Sequence, residues 1–281
     1  MNSSIKFKKS ESFYIRDGWI EKALNAINDN SNINIFSKNN GIKILGIGSN
    51  MVKGLKYWLL SASLIQSNGK NIELTKLGKL IVKYDKYLEE DFSWFIIHYN
   101  LCTNMNECPI FYGVFNSNIN SFTKNEALEM IIDDFSSTNI IFKREYVEED
   151  LNVFLKSYIN DNLVDNPEDN YVCPLSNLNL LLKKQNIYKK NRPIYNNLSY
   201  LIVYYALLNV YDQESFLIEE ECETINSPSK IFNLDKNVLI KYLEEMKKNN
   251  LITINKTAGL NSIYFEKKLS IDEIFKEYYG W

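Results

Sequence analysis

The sequence contains only one histidine, four cysteines and five prolines, and its apolar runs are short. The run between Trp58 and Ile65 is broken by serines, and no run approaches the roughly 18 apolar residues that span a bilayer. The first residues carry positive charge with no apolar segment behind them, which argues against a secretory signal. We therefore expect a cytoplasmic protein without a membrane span, whose cysteines are free thiols.

Several catalytic motifs are also missing from the sequence. It has no P-loop, no dinucleotide-binding glycine pattern and no G-x-S-x-G motif, so NTPase, dehydrogenase and hydrolase-fold functions have no support. The lone His98 is flanked by Ile96, Ile97 and Tyr99, which favours a hydrogen-bonded core histidine over a general base. Its spacing to Cys102 and Cys108 fits no common zinc finger.

The composition is that of a globular protein. Apolar residues make up 45% of the 281 residues and charged residues 24%, enough to build a substantial core. The element patterns described below predict a mainly α fold with small β-wings, of the α+β class. We predict a basic winged-helix domain over residues 1–90, an acidic helical domain over 91–195, and a winged-helix-like domain over 196–281.

Charge is unevenly distributed along the chain. Residues 1–83 contain 13 Lys and Arg against 5 Asp and Glu, whereas residues 84–169 contain 5 against 17. Residues 170–281 are nearly balanced, with 14 basic against 13 acidic residues. A basic segment of this size is typical of a module that binds a polyanion, because its cations displace counterions from phosphates. The first third is therefore predicted to bind DNA.

A winged helix-turn-helix pattern occupies this basic third. A glycine-containing turn precedes Ser49, which we predict to be an N-cap, and a helix follows. The turn Ser67–Gly69 then joins two short strands, and an amphipathic helix begins near Lys76. The second helix of such a motif enters the major groove of DNA. The apolar stripe of that helix is Met51, Val52, Leu55, Trp58, Leu59 and Ala62, and its opposite face is Asn50, Lys53, Tyr57 and Ser61, with Lys56 on the flank. The predicted DNA-binding residues are Ser49, Asn50, Lys53, Lys56, Tyr57 and Lys70.

A similar pattern recurs late in the chain. Ser227 and Pro228 predict a helix start, a longer helix follows over 236–249, and two strands flank the turn Thr257–Leu260. The outer face of the long helix mixes charges of both signs: Asn237, Lys241, Glu244, Glu245 and Lys248. Because glutamates repel phosphates, we predict contacts with a second copy of the chain or with a partner protein here. The nearest basic segment runs from Lys183 to Arg192 and is a further candidate for DNA contact.

Four sequence blocks resemble the SspB-type family, first catalogued as a domain of unknown function and associated with bacterial DNA phosphorothioation. The blocks are Glu11, Phe13, Arg16, Trp19 and Lys22; Leu45–Val52 with Tyr57–Leu59; Leu74, Thr75 and Gly78 with Asp85–Glu89, Trp94 and His98; and Pro174 and Leu175 with Thr257–Leu260. The resemblance implies a DNA-binding component that works beside a cysteine desulfurase, an adenylating sulfur-transfer enzyme and an ATPase. It also implies nicking of DNA for sulfur insertion. This sequence departs from the family at Ser10, where the family usually has histidine, and that departure puts the nicking in question.

Nicking, if this chain performs it, would use Mg²⁺ or Mn²⁺ held by carboxylates. Glu11 and Arg16 are the first catalytic candidates, as a water-orienting carboxylate and a phosphate clamp, although a purely structural pair fits them equally well. The acidic cluster containing Asp85, Glu89 and Asp91 is the second candidate. Residues 148–150 form a third acidic group, and acidic groups are usually solvated surface. The sequence assigns no metal ligands.

Two other functions compete with this hypothesis. One is a winged-helix transcription regulator without enzymatic activity. The other is a scaffold whose wings hold partner proteins. The sequence alone leaves all three open.

Overall fold

The computed structural model describes residues 5, 7–30, 34–37, 40–69, 71–137, 141–160, 172–257 and 260–280. The chain forms two compact units, one of Met1–Val114 with Ile119–Lys190 and one of Phe115–Asn118 with Asn191–Trp281. This grouping does not test the three-domain division predicted from the sequence, which stays a prediction. None of the helices in the described ranges is long and apolar enough to cross a membrane.

The first unit is mainly helical and contains two small antiparallel sheets. Its helices are α1 (Trp19–Asp29), α2 (Asn40–Leu45), α3 (Ser49–Ser61), α4 (Lys76–Tyr84), α5 (Asp91–Thr103), most of α6 (Pro109–Asn116), α7 (Lys124–Ser136) and α8 (Arg144–Tyr158). Its strands are β1 (Ile65–Asn68), β2 (Asn71–Leu74), β3 (Ser121–Thr123), β4 (Leu181–Lys184) and β5 (Ile187–Lys190). A 3₁₀ helix, Pro174–Leu178, precedes β4. Strands β1 and β2 form a hairpin, and the other three pair in the order β3-β5-β4.

The second unit has one sheet and several helices. Its helices are α9 (Tyr200–Val210), α10 (Ile218–Glu221), α11 (Pro228–Ile231), α12 (Lys236–Lys248) and α13 (Ile271–Tyr279). Its strands are β6 (Ser215–Leu217), β7 (Ile252–Thr257) and β8 (Leu260–Phe265), paired antiparallel in the order β6-β8-β7. The chain is therefore α+β with small antiparallel sheets, as the sequence predicts.

Several elements form where the sequence predicts them, because they have an apolar stripe, a turn glycine or a capping residue. Helix α3 buries its apolar stripe, with Trp58 1% and Leu59 0% exposed. The β1–β2 hairpin turns at Gly69, whose φ of +62° suits glycine better than any other residue. Thr75 caps α4 by accepting a hydrogen bond from the Gly78 amide. Helix α12 begins and ends within one residue of the predicted bounds, and the Asp235 side chain caps its start.

Three details of the sequence analysis are wrong. The N-cap of α3 is Gly48, and Ser49 is its first helical residue, with no side-chain capping bond. Ser61, predicted to face solvent, is fully buried. The middle domain, predicted to be helical over 91–195, also contains the three strands β3, β4 and β5 of one sheet. Three-residue strands such as β3 and β6 are too short to show an alternating pattern.

The chain before α1 packs directly against α3, and we call residues 8–19 the N-terminal arm. A Cβ atom placed on Gly54 of α3 would lie 2.6 Å from the Ser10 carbonyl oxygen. The Trp58 indole Nε1, one helical turn after Gly54, donates a hydrogen bond to the Phe13 carbonyl at 2.9 Å. Only glycine at position 54 therefore lets the arm approach the helix backbone this closely.

We expect Gly54→Ala to destabilise the protein by about 1–3 kcal/mol, because the new methyl overlaps a backbone atom. Gly113→Ala is the matched control, since its Cβ would meet only an Ile131 methylene at 3.7 Å, and it should gain up to about 1 kcal/mol of helix propensity. Urea unfolding of both variants measures the difference. Equal stabilities would show that the arm does not pack on α3 as described.

Candidate nucleic-acid interface

The outer face of α3 presents polar side chains at its N-terminal end. Ser49, Asn50 and Lys53 are exposed, and Lys56 is half-buried. The Lys53 Nζ donates to the Asn50 Oδ1 at 3.2 Å and lies 3.7 Å from a Glu11 carboxylate oxygen. Exposed ion pairs at this distance contribute between zero and about 1 kcal/mol, so Lys53 can exchange Glu11 for another anion. Lys70 lies outside the described residues.

Tyr57 faces inward, unlike the other predicted DNA-binding residues of α3. Its hydroxyl donates to the Glu107 carbonyl oxygen at 2.6 Å and lies 3.2 Å from the Cys108 sulfur. Burial raises the pKa of Tyr57 well above its usual range. The hydroxyl therefore anchors α3 to the chain before α6, and it is not oriented for a DNA contact.

The two catalytic candidates of the N-terminal arm have separate partners. The Arg16 guanidinium lies over two aromatic rings, 5.6 Å from the centre of Phe13 and 5.4 Å from that of Trp19. Glu11 pairs with Lys53. Contact with two rings restrains this guanidinium, a group that can bind phosphate through two parallel N–H bonds.

Carboxylates of the acidic middle segment hold the arm in place. The Lys8 amide donates to Asp150 at 2.7 Å, and its ammonium group donates to Glu149 at 3.0 Å. Lys9 forms an ion pair with Glu107. The arm also contains three non-glycine residues with left-handed backbone: Lys8, Glu11 and Ser12. Such conformations persist only where surrounding contacts impose them, and they occur often at functional sites.

A small cavity lies beneath the arm. Its lining includes Ser10, Tyr57, Cys108 and Asp150, and its volume suits about one water molecule. Ser10 is 2% exposed, and its hydroxyl has no hydrogen-bond partner within the described structure. Ser10 is also the position at which the sequence departs from the family that it resembles. Burial raises the pKa of Asp150 to about 6.

The sequence draws attention to Ser10 and Asp150 separately and does not show that both line one cavity. Ser10 stood out only through the family comparison, and Asp150 only as part of an acidic group. Nothing in the local sequence of either residue points to the other, which is 140 positions away. Only the fold brings the arm onto α8.

The second acidic cluster serves a local structural purpose. Asp85 is 5% exposed, and its carboxylate accepts hydrogen bonds from the amides of Glu89 and Glu90. Glu89 is exposed, and Asp91 lies in the first turn of α5. The catalytic assignment of Asp85, Glu89 and Asp91 stays a prediction from the sequence, and no contact of Asp85 described here adds to it.

His98 is fully buried, as predicted. Its Nδ1 lies 2.7 Å from the Tyr158 hydroxyl and 3.5 Å from the Cys102 sulfur. In the part of the chain that the structure describes, no three His, Cys, Asp or Glu side chains converge as metal ligands. The described residues therefore do not form a ready-made magnesium or zinc centre.

The outer face of α12, in the second unit, carries mixed charges as the sequence suggests. Asn237, Lys241 and Lys248 are exposed, and Glu244 and Glu245 are half-buried. Glu245 accepts a hydrogen bond from the Tyr195 hydroxyl at 3.0 Å, and Glu244 lies near Lys247. Neighbouring carboxylates reduce the positive potential that this helix could offer to phosphates.

Asp150 generates a pH-dependent prediction. Its pKa of about 6 exceeds the usual 3.8, so the folded state binds this proton more tightly than the unfolded chain does. Wild type should therefore lose stability, on the order of 2 kcal/mol, as pH rises from 4 through 6. Asp150→Asn keeps an acceptor for the Lys8 amide without the buried charge. It should be more stable than wild type at pH 8 and equally stable at pH 4, as measured by urea unfolding.

The outcome at pH 8 decides this prediction. An Asp150→Asn variant less stable than wild type at pH 8 would mean that the ionised carboxylate stabilises the arm. A difference that does not change between pH 4 and pH 8 would also contradict the raised pKa.

Comparisons with known proteins identify the family of this chain. A family model described as a protein of unknown function, DUF4007, matches residues 7–279. A magnesium ion-bound SspB crystal structure is similar with a TM-score of 0.86 and 20% identity, covering 98% of this chain and 88% of that chain. A second SspB crystal structure has a TM-score of 0.84, 20% identity and the same coverage. No curated protein matches the chain.

At 20% identity the SspB structures establish the fold and leave activity open. The family match confirms the family indicated by the four sequence blocks, and it extends over nearly all of the described residues. The chain therefore belongs to the DUF4007 family and has the fold of SspB.

Proposed function

We propose that this chain is the DNA-binding component of a bacterial DNA phosphorothioation system, and that α3 is its DNA-reading helix. The observation that carries the proposal is the outer face of α3, where Ser49, Asn50 and Lys53 are exposed at the start of the helix. Helix α2, a turn with Gly46 at a φ of +67°, helix α3 and the β1–β2 hairpin follow in the order of a winged helix-turn-helix. In that motif the N-terminal residues of the second helix contact base edges.

The charge of the first third supports the same assignment. This third contains 13 basic and 5 acidic residues, and such an excess of positive charge attracts DNA phosphates. Two of its lysines, Lys8 and Lys9, are paired with carboxylates. Among the uncharged groups, Asn50 can pair with adenine through its amide, and Ser49 can bind phosphate or base. Tyr57 is left out of the proposed interface because its hydroxyl is engaged inside the protein.

The second unit is proposed to bind proteins. The mixed-charge face of α12 suits a second copy of this chain or another phosphorothioation protein better than it suits DNA. The resembled family supplies the candidates, namely a cysteine desulfurase, a sulfur-transfer enzyme and an ATPase.

Binding to a DNA duplex tests the assignment of α3. Lys53→Gln combined with Lys56→Gln should weaken binding about tenfold at low salt, and should lower the slope of log K against log salt by about one per lysine. Fluorescence anisotropy of a labelled duplex, titrated at several salt concentrations, measures both quantities. Circular dichroism checks that the variants fold.

A matched charge change on the other unit provides the control. Lys241→Gln combined with Lys248→Gln removes the same charge from the outer face of α12 and should leave affinity within about twofold. If the two double variants lose affinity equally, α3 is not the reading helix. If wild type binds no duplex at any salt concentration, the proposed function is wrong.

Nicking is proposed as the chemistry, with Arg16 as the phosphate clamp. Its guanidinium lies over the rings of Phe13 and Trp19 at the start of the basic module, and its planar shape matches two phosphate oxygens. The magnesium-bound SspB structure makes Mg²⁺ a natural addition to the assay. Because the described residues form no ready-made metal centre, the proposal assigns no ligand to that ion.

Conversion of supercoiled plasmid to open circle, with Mg²⁺ or Mn²⁺, is the measurement. Arg16→Lys should slow nicking by about one to two orders of magnitude, because lysine cannot bind two phosphate oxygens in a plane. DNA affinity should change little, since the charge is retained. Wild-type protein that never nicks would identify a binding-only protein, such as a transcription regulator. Equal rates for wild type, Arg16→Lys and Glu11→Gln would remove the arm from the chemistry.

A further inference from the structure

A long stretch of the chain contains no carboxylate. Residues 170–211 include no Asp or Glu but five basic residues: Lys183, Lys184, Lys189, Lys190 and Arg192. The near-neutral charge of residues 170–281 as a whole conceals this stretch. Four of the five basic residues lie on the β4–β5 hairpin, which belongs to the same compact unit as α3.

The strand register places two lysines and two aliphatic side chains on one face of this hairpin. Leu182 pairs with Lys189, and Lys184 pairs with Ile187, so these alternate residues point to the same side. Leu182 is 45% and Ile187 48% exposed, and both lysines are also exposed. The opposite face is packed, because Tyr188 stacks on the buried Phe122 with ring centres 5.9 Å apart. One face of the hairpin is therefore open and positively charged.

Protection of a sheet edge explains only part of this arrangement. Lysines on an edge strand discourage pairing with another chain, and β4 is the edge of the order β3-β5-β4. That reason accounts for Lys184, but Lys189 lies on the central strand β5. Within the described residues, neither Lys184 nor Lys189 forms an ion pair.

The tip of the hairpin adds hydrogen-bonding groups without charge. Gln185 and Asn186 form the turn between the strands, both are exposed, and Gln185 adopts a left-handed φ of +55°. A two-stranded ribbon fits the major groove of DNA, where amides can pair with base edges. Lysines along the ribbon reach the flanking phosphates, and aliphatic groups contact sugars and thymine methyls.

We propose that the β4–β5 hairpin is a second DNA-contacting element, in which Lys184 and Lys189 bind phosphates on either side of the amide tip. This inference rests on the proposed DNA-binding function. It assigns the first unit two contacts with one duplex, through α3 and through the hairpin.

The test compares three double variants with wild type in the duplex-binding titration. Lys184→Gln with Lys189→Gln should weaken binding about tenfold at low salt and lower the salt slope by about two. Lys184→Arg with Lys189→Arg keeps both charges and should bind like wild type. Lys267→Gln with Lys276→Gln removes the same charge from exposed positions of the second unit and should change affinity less than about twofold. Circular dichroism checks folding.

The outcomes separate this inference from the function on which it rests. If the α3 variant loses affinity and the hairpin Gln variant does not, the hairpin inference is wrong and the proposed function stands. The hairpin inference is also wrong, and the proposed function stands, if the hairpin Gln variant keeps its DNA affinity but loses binding to an acidic protein. If wild type binds no duplex, both are wrong. If the hairpin and control Gln variants lose affinity equally, the hairpin makes no specific contact.

Discussion

The close packing of the N-terminal arm on α3 is the constraint from which the candidate interface follows. Gly54 admits the Ser10 backbone, and Trp58 ties down the Phe13 carbonyl from the buried side of the helix. This contact fixes the ring platform on which Arg16 lies, and it places Glu11 beside Lys53. The same packing contact therefore positions the exposed end of α3 and the Arg16 guanidinium.

The net charges of the sequence segments do not show how charges pair within the first unit. Three carboxylates of the acidic middle segment, Glu107, Glu149 and Asp150, bind the arm through Lys8, Lys9 and a backbone amide. Both lysines are paired with carboxylates of the same unit, as Lys53 is with Glu11. The exposed cations of the first unit include Lys53 on α3 and Lys184 and Lys189 on the β4–β5 hairpin.

Periodicity in the sequence is sufficient for α3, α4 and α12, because each has an apolar stripe, and turn residues are sufficient for the hairpins that follow α3 and α12. It failed at Tyr57 and Ser61, since a helical pattern cannot show that other parts of the chain cover the outer face of the last turns. Likewise, the cavity that Ser10 and Asp150 both line depends on packing between parts of the chain that are far apart in sequence. Local sequence carries no information on such pairs.

Lysine footprinting in the presence and absence of a DNA duplex tests whether α3 contacts DNA. Acetylation of exposed lysines, quantified by mass spectrometry, reports at each position whether DNA covers the side chain. We expect protection of Lys53 by DNA at low salt, release of that protection at high salt, and unchanged labelling of Lys241 and Lys276 in the second unit. If Lys53 is labelled equally with and without bound duplex, the proposed role of α3 is wrong.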